Sequence, residues 1–181
     1  MPVRSWLLTF LLFPALLLAS DFRVSELSAK QREGFFVMRA ELVYDFPERP
    51  LEALQNGVPL TIDVHVQLRR EGAWIWEEDL LDIRLRYQIR YHALASIYQV
   101  LDLQSGNQQD FVTLESALAA LGEIPSFPLI SAEELRSDES YVLSLKAELD
   151  IEALPLPLRP MAYITPSWNL SSERKTWLLK P

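Results

Sequence analysis

The chain has no cysteine. Disulfides, thiolate zinc ligands and a thiol nucleophile are therefore excluded together, and the fold rests on its apolar core alone. Glycine is almost as scarce: five occur, at positions 34, 57, 72, 106 and 122, with no two close in sequence. Loops that cradle phosphate need clustered glycines so that backbone N–H groups can approach the ligand, and no such loop is present. Histidine is limited to His65 and His92. A Ser-His-Asp triad would have to use one of them, and no nucleophile-elbow sequence accompanies either. The apolar run from Trp6 to Leu18 is 13 residues, short of the roughly 18 to 20 that span a bilayer as a helix.

What that run does fit is an export address. Arg4 precedes it, and the small residues Ala19 and Ser20 follow, the order of a secretory signal peptide. Residues 1–20 are thus expected to be a signal peptide, or a membrane tether if uncleaved, and 21–181 a single β-rich domain delivered to the periplasm. Without residues 1–20 the chain keeps 25 acidic and 16 basic residues. That balance argues against nucleic acid and against bulk binding to anionic membranes, since both repel a net negative protein.

The rest reads as strands. In "FFVMRAELVYDF" Phe36, Met38, Ala40, Leu42 and Tyr44 alternate with polar residues, and "PLTIDVHVQLRR" and "YVLSLKAELD" do the same. A sustained period of two marks strands with one buried and one wet face, typically in antiparallel sheets. Gly34, Gly72 and the "QSGNQQ" stretch punctuate them, the second expected to close a hairpin between 60–70 and a strand from Trp74 onward. Short helices are expected over Leu51 to Asn56 and from a Thr113 cap to Gly122, with a third turn in "SAEELRS". "LPLPLRP" (154–160) reads as an extended polyproline-like segment. The fold class is all-β: an antiparallel β-sandwich, a class that includes immunoglobulin-like packing, with two or three short helices. A partly closed barrel satisfies the same pattern.

The candidate interaction face is a stripe in "RLRYQIRYHA". Arg84, Arg86, Gln88, Arg90 and His92 share one face of a strand and cover roughly 25 Å of it. Four such cations repel unless something offsets them. Asp63, Glu41, Glu148 and Asp150, on the polar faces of other expected strands, are candidates to pair with them. Otherwise the stripe suits an anionic ligand or the acidic surface of a partner, since arginine forks pair well with carboxylates. Two further sets carry chemistry in outline. Asp63, His65 and His92 would make a two-histidine-one-carboxylate metal set if their strands were neighbours, although polar-face histidines are usually in solvent or in cross-strand pairs. Glu77, Glu78, Asp79 and Asp82 lie beside Trp74 and Trp76, the composition of a carboxylate-dependent hydrolase, although a charged edge also guards against aggregation. Trp168 and Trp177 read as packing residues. No catalytic, cofactor-binding or metal-ligating residue is assigned from the sequence.

The segments "LQNGVPLTIDVHVQLRR", "LRYQIRYHALASIYQVLDLQSGNQQDFVTLESALAALGEI", "LPLPLRP" and "WNLSSE", in that order, resemble the exported proteobacterial family DUF4390, a domain of unknown function. The resemblance runs through nearly all of the chain after the apolar run and carries no chemical motif. It implies a periplasmic or envelope protein, often encoded beside a membrane sensor kinase of the nitrogen-regulation type. An inner-membrane sensor kinase or another envelope protein is therefore the expected partner. It implies no cofactor and no established site residue.

Overall fold

The structure is a computed structural model, which describes residues 22–74 and 77–181. The expected signal peptide and Trp76 lie outside the described residues. In chain order the elements are β1 (Phe22–Arg32), β2 (Phe35–Tyr44), α1 (Glu48–Gln55), β3 (Leu60–Arg70), β4 (Leu81–His92), β5 (Ile97–Asp102), β6 (Gln108–Phe111), α2 (Leu114–Gly122), β7 (Glu123–Ser131), β8 (Tyr141–Leu149), α3 (Arg159–Ile164) and β9 (Lys175–Leu179). Every strand pairing is antiparallel: β1-β2-β7 make a small sheet and β6-β5-β4-β3-β8-β9 a large one.

The alternation in sequence becomes the two faces of each sheet. On β3, Leu60, Ile62, Val64, Val66 and Leu68 are fully buried, and Leu143, Leu145 and Ala147 of β8 lie beside them in the register. On β2, Phe36, Met38, Ala40, Leu42 and Tyr44 are buried in their turn. Both sets belong to one hydrophobic core, and β1 of the small sheet packs across β8 and β9 of the large one. This is the expected all-β class, with the sheets remaining two separate hydrogen-bonded units rather than closing into a barrel. Phe22 anchors one end, edge-on to Tyr44 at 4.9 Å and to Phe46 at 5.4 Å between ring centroids.

Two glycines are required by geometry. Glu33 and Gly34 both take positive φ, +49° and +84°, the backbone of the tight turn that matches strand twist in a two-residue hairpin. Gly122 ends α2 where the helix meets β2: a Cβ there would stand 2.0 Å from the carbonyl oxygen of Leu42. Thr113 caps α2 as expected, its side chain accepting from the Ser116 N–H at 3.2 Å.

Three expectations need correction. β4 begins at Leu81, not Trp74. Arg69 and Arg70 pair with Asp79 and Glu77, so these two acids serve β3 as side-chain partners instead of opening a paired strand. "LPLPLRP" is not extended throughout. A turn closes within it, the Leu158 N–H donating to the Pro155 carbonyl at 2.9 Å, and α3 starts at Arg159 with Pro160 in its first turn, where a missing N–H costs no helical hydrogen bond. The strand β7 was not anticipated, because it contains Pro125 and Pro128. Both are tolerable because β7 is an end strand.

Candidate functional site

The outer face of the large sheet is polar because β3 and β4 each send alternate residues to it. The register sets Thr61 opposite Gln88, Asp63 opposite Arg86, His65 opposite Arg84 and Gln67 opposite Asp82. On the other side of β3, Asp63 faces Glu148 and His65 faces Lys146. Asp63 thus stands between two arginines of the stripe. Arg86 donates to it at 3.0 Å and to Asp150 at 2.7 Å. Arg84 lies 3.6 Å from Asp63 and 3.8 Å from Glu148, which also accepts from Lys146 at 3.0 Å. Three of the four acids expected beside the stripe are therefore there. Glu41 is not: it lies on β2, in the small sheet, opposite Glu26.

The pairing stops halfway along β4. Gln88 donates to Thr61 at 3.3 Å. Arg90 is exposed and faces Gln99 across the ladder, and its side chain forms no hydrogen bond or ion pair with a described residue. His92 follows on the same face. Its Nε2 is buried and has no hydrogen-bond partner among the described residues. β3 begins at Leu60, opposite Ile89, so it has no residue to set beside Arg90 or His92. The stripe is neutralised at its Arg84–Arg86 end and open at its Arg90–His92 end.

The metal set does not assemble. His65 stands opposite Arg84, and His92 lies further along β4 by roughly 25 Å of strand. Among the described residues, no group of three His, Asp or Glu side chains is placed to hold a metal ion. His65 Nε2 instead meets Asp82 at 2.6 Å.

The acidic loop is more organised than its composition suggested. Gln67 Nε2 donates to Asp79 at 3.0 Å and to Asp82 at 2.9 Å. The two carboxylates thus stand within about 6 Å of each other, near the spacing of a glycosidase acid pair. That chemistry needs one acid to hold its proton near neutral pH, and the surroundings of Asp82 oppose this. Hydrogen bonds from His65 and Gln67 hold the Asp82 carboxyl below its ordinary value. Asp79 is tied to Arg69 by an ion pair, and the Arg70 hydrogen bond, with one from the Trp74 N–H, lowers Glu77 likewise. These acids are counter-ions to β3.

Other surfaces were not singled out from the sequence, because each joins residues distant in the chain. A groove of about 830 Å³ runs between β2 and α2, lined by Val43, Leu114, Leu118 and Ala119 and rimmed by Glu41, Glu115 and Glu123. Tyr44 lies at its floor; burial pushes its phenol far up, and its hydroxyl has no partner among the described residues. On the outer face of the small sheet, Lys30, Arg32 and Arg39 line a second groove of about 410 Å³ together with Glu26 and Ser28. No ion pair or hydrogen bond commits any of these three cations to a described residue. Trp168 is buried as expected, whereas Trp177 is 41% exposed at the edge of the large sheet. No described helix is long and apolar enough to cross a membrane.

The family model described as a domain of unknown function, DUF4390, matches residues 19–178. No curated protein and no solved structure matches the chain. The chain belongs to the DUF4390 family.

Proposed function

We propose that this member of the DUF4390 family is an exported interaction module of the periplasm. It engages an acidic surface of an envelope protein through the Arg90–His92 end of the large sheet's polar face. One observation carries the reading: on a single strand, Arg84 and Arg86 are spent on Asp63, Glu148 and Asp150, whereas Arg90 is exposed and uncommitted. In a chain of formal charge -8, an exposed and uncommitted arginine is a local reversal of sign. Complementary charge at such a patch steers association and fixes orientation more than it adds raw affinity. An inner-membrane sensor kinase is the partner class that the family resemblance suggests.

The test is crosslinking in cells from a photoreactive residue at Gln88, with Arg90→Glu as the control. Arg90 is the clean choice, because reversing Arg84 or Arg86 would also strand Asp63 and Asp150. One dominant membrane protein, lost in the Arg90→Glu variant while the fold persists, is the expected result. An adduct pattern that the variant leaves unchanged would dispose of this surface.

A further inference from the structure

The small sheet carries a different kind of surface. β1 is its end strand: β2 holds one side, and no described strand holds the other. Such an edge presents a row of unpaired N–H and C=O groups. The register sends alternate residues of β1 to opposite sides. Ser28 faces Arg39 and Lys30 faces Val37 on the outer side, while Ala29 faces the buried Met38 on the inner side. The outer side is the cationic groove of Lys30, Arg32 and Arg39. On the inner side another cleft, about 400 Å³, runs between β1 and β9; its lining includes Ala29, Phe36 and Trp177 together with Lys30 and Lys180. Trp177 is 41% exposed and lies on the core-facing side of β9, opposite Leu143.

We propose that the free edge of β1 accepts an extended acidic–apolar segment of another protein as an added strand. The main chain of that segment pairs with the unpaired groups of β1, which supplies affinity without sequence preference. Its side chains alternate. Those on one side lie over Lys30 and Arg32; those on the other enter the cleft against Trp177. Same-face residues repeat at about 6.8 Å in both strands, so acids at every second position meet Lys30 and Arg32 in register. Arg39, one strand further in, adds to the same positive field. A second copy of this chain is the poorer occupant: Glu26 is the one acid on β1, and in an antiparallel β1–β1 pair it can face Lys30 or Arg32 but not both. A segment with acids at every second position satisfies both cations.

The probe is an eight-residue peptide of alternating Glu and Val, added to the purified chain, with amide hydrogen exchange and a binding titration as readouts. Slowed exchange in residues 23–32, with little change in β3 and β4, is expected. The double variant Lys30→Glu/Arg32→Glu should weaken binding by roughly tenfold or more, as should N-methylation of alternate peptide amides. Equal binding of a Lys–Val peptide, indifference to N-methylation, or protection elsewhere would overturn the proposal. So would protection of β1 without peptide in a chain that sediments as a dimer, which would assign the edge to self-association. None of these readouts touches Arg90, so this proposal and the Gln88 surface fail separately.

Discussion

The outer faces of the two sheets are built from the same residue types and handle charge in opposite ways. On the large sheet, Arg84 and Arg86 each meet two acids, drawn from β3, β8 and the turn after β8. On the small sheet, Lys30, Arg32 and Arg39 meet none within ion-pair distance among the described residues, and the acids Glu26 and Glu41 face one another instead. What the ladders set beside each cation explains the difference. β4 lies next to β3, which carries Asp63, and the strand beyond β3 brings Glu148 and Asp150 within reach of Arg84 and Arg86. On the small sheet Arg39 faces Ser28 and Lys30 faces Val37, so neither cation has an acid opposite it, and the free edge of β1 supplies none. Cations without an acid across the ladder keep their charge available for something else.

Gly122→Ala is the change expected to break that comparison most severely. The new Cβ would stand 2.0 Å from the Leu42 carbonyl oxygen, so α2 must lift from β2. Overpacking of this kind costs about 3 kcal/mol. Because α2 also rests on β4 and β5, the helix is a joint between the sheets. Hydrogen exchange should show β2 and β7 losing protection before β3 and β8. Uniform loss, or none, would mean that α2 does not hold the sheets together.

Next comes Asp63→Ala. It removes the carboxylate shared by Arg84 and Arg86, whose side chain is only 12% exposed. Hydrogen bonds to charged groups contribute about 1.5–3 kcal/mol each, but Asp150 and Glu148 still hold the two arginines. A loss of about 2 kcal/mol in urea unfolding is therefore expected. A loss below about 0.5 kcal/mol would show that the large sheet's net is ordinary surface charge.

Much of this was readable from residues alone, and the boundary is instructive. Alternation in "RLRYQIRYHA" and "PLTIDVHVQLRR" placed the stripe and its acids on polar faces, because a period of two survives any strand order. Which acids reach the stripe depends on which strands are neighbours. Asp63, Glu148 and Asp150 proved adjacent and Glu41 did not, since no local pattern says that 36–44 joins a different sheet. Thr113 and Gly122 bracketed α2 because capping is local chemistry. Pro125, Pro128 and Pro160 misled: a proline's cost depends on whether its missing N–H had a partner, and end strands and first helical turns have none to lose. The open end at Arg90 follows from where β3 begins, and the cleft beside β1 from the way β1 and β9 face each other across the two sheets. Neither is periodic, so neither was visible.

A smaller effect separates the faces by pH. Hydrogen bonds from His65 and Gln67 lower the Asp82 pKa in the folded state, so the unfolded chain takes up that proton first as pH falls. The stabilisation is fully present above the ordinary aspartate value, about 4, and is lost as pH drops through the lower folded value. Asp82 is half exposed, so solvent screening keeps the contribution below about 1 kcal/mol. Asp82→Asn should be less stable than the parent at neutral pH and converge with it in acid. Curves that stay parallel down to acid would mean that the His65–Asp82 contact is not formed in solution.

Arg39→Gln should show the smallest effect and be the sharpest control. Arg39 is exposed like Arg84, sits on a strand like Arg84, and differs in having no acid within ion-pair distance. If arginines stabilised these faces through their stems, packing along the sheet, then Arg39→Gln and Arg84→Gln would cost the same. If pairing is what matters, Arg84→Gln loses contacts to Asp63 and Glu148 and costs up to about 1 kcal/mol, whereas Arg39→Gln stays within about 0.5 kcal/mol of zero. Salt separates the two further. Added salt should erode the Arg84 difference, since a Debye length of about 10 Å at 0.1 M shrinks to about 3 Å at 1 M, and leave the Arg39 value where it was. Equal costs with equal salt dependence would place the difference between the sheets in packing rather than charge, and the cations of the small sheet would then have no reserve of unspent attraction to offer a partner.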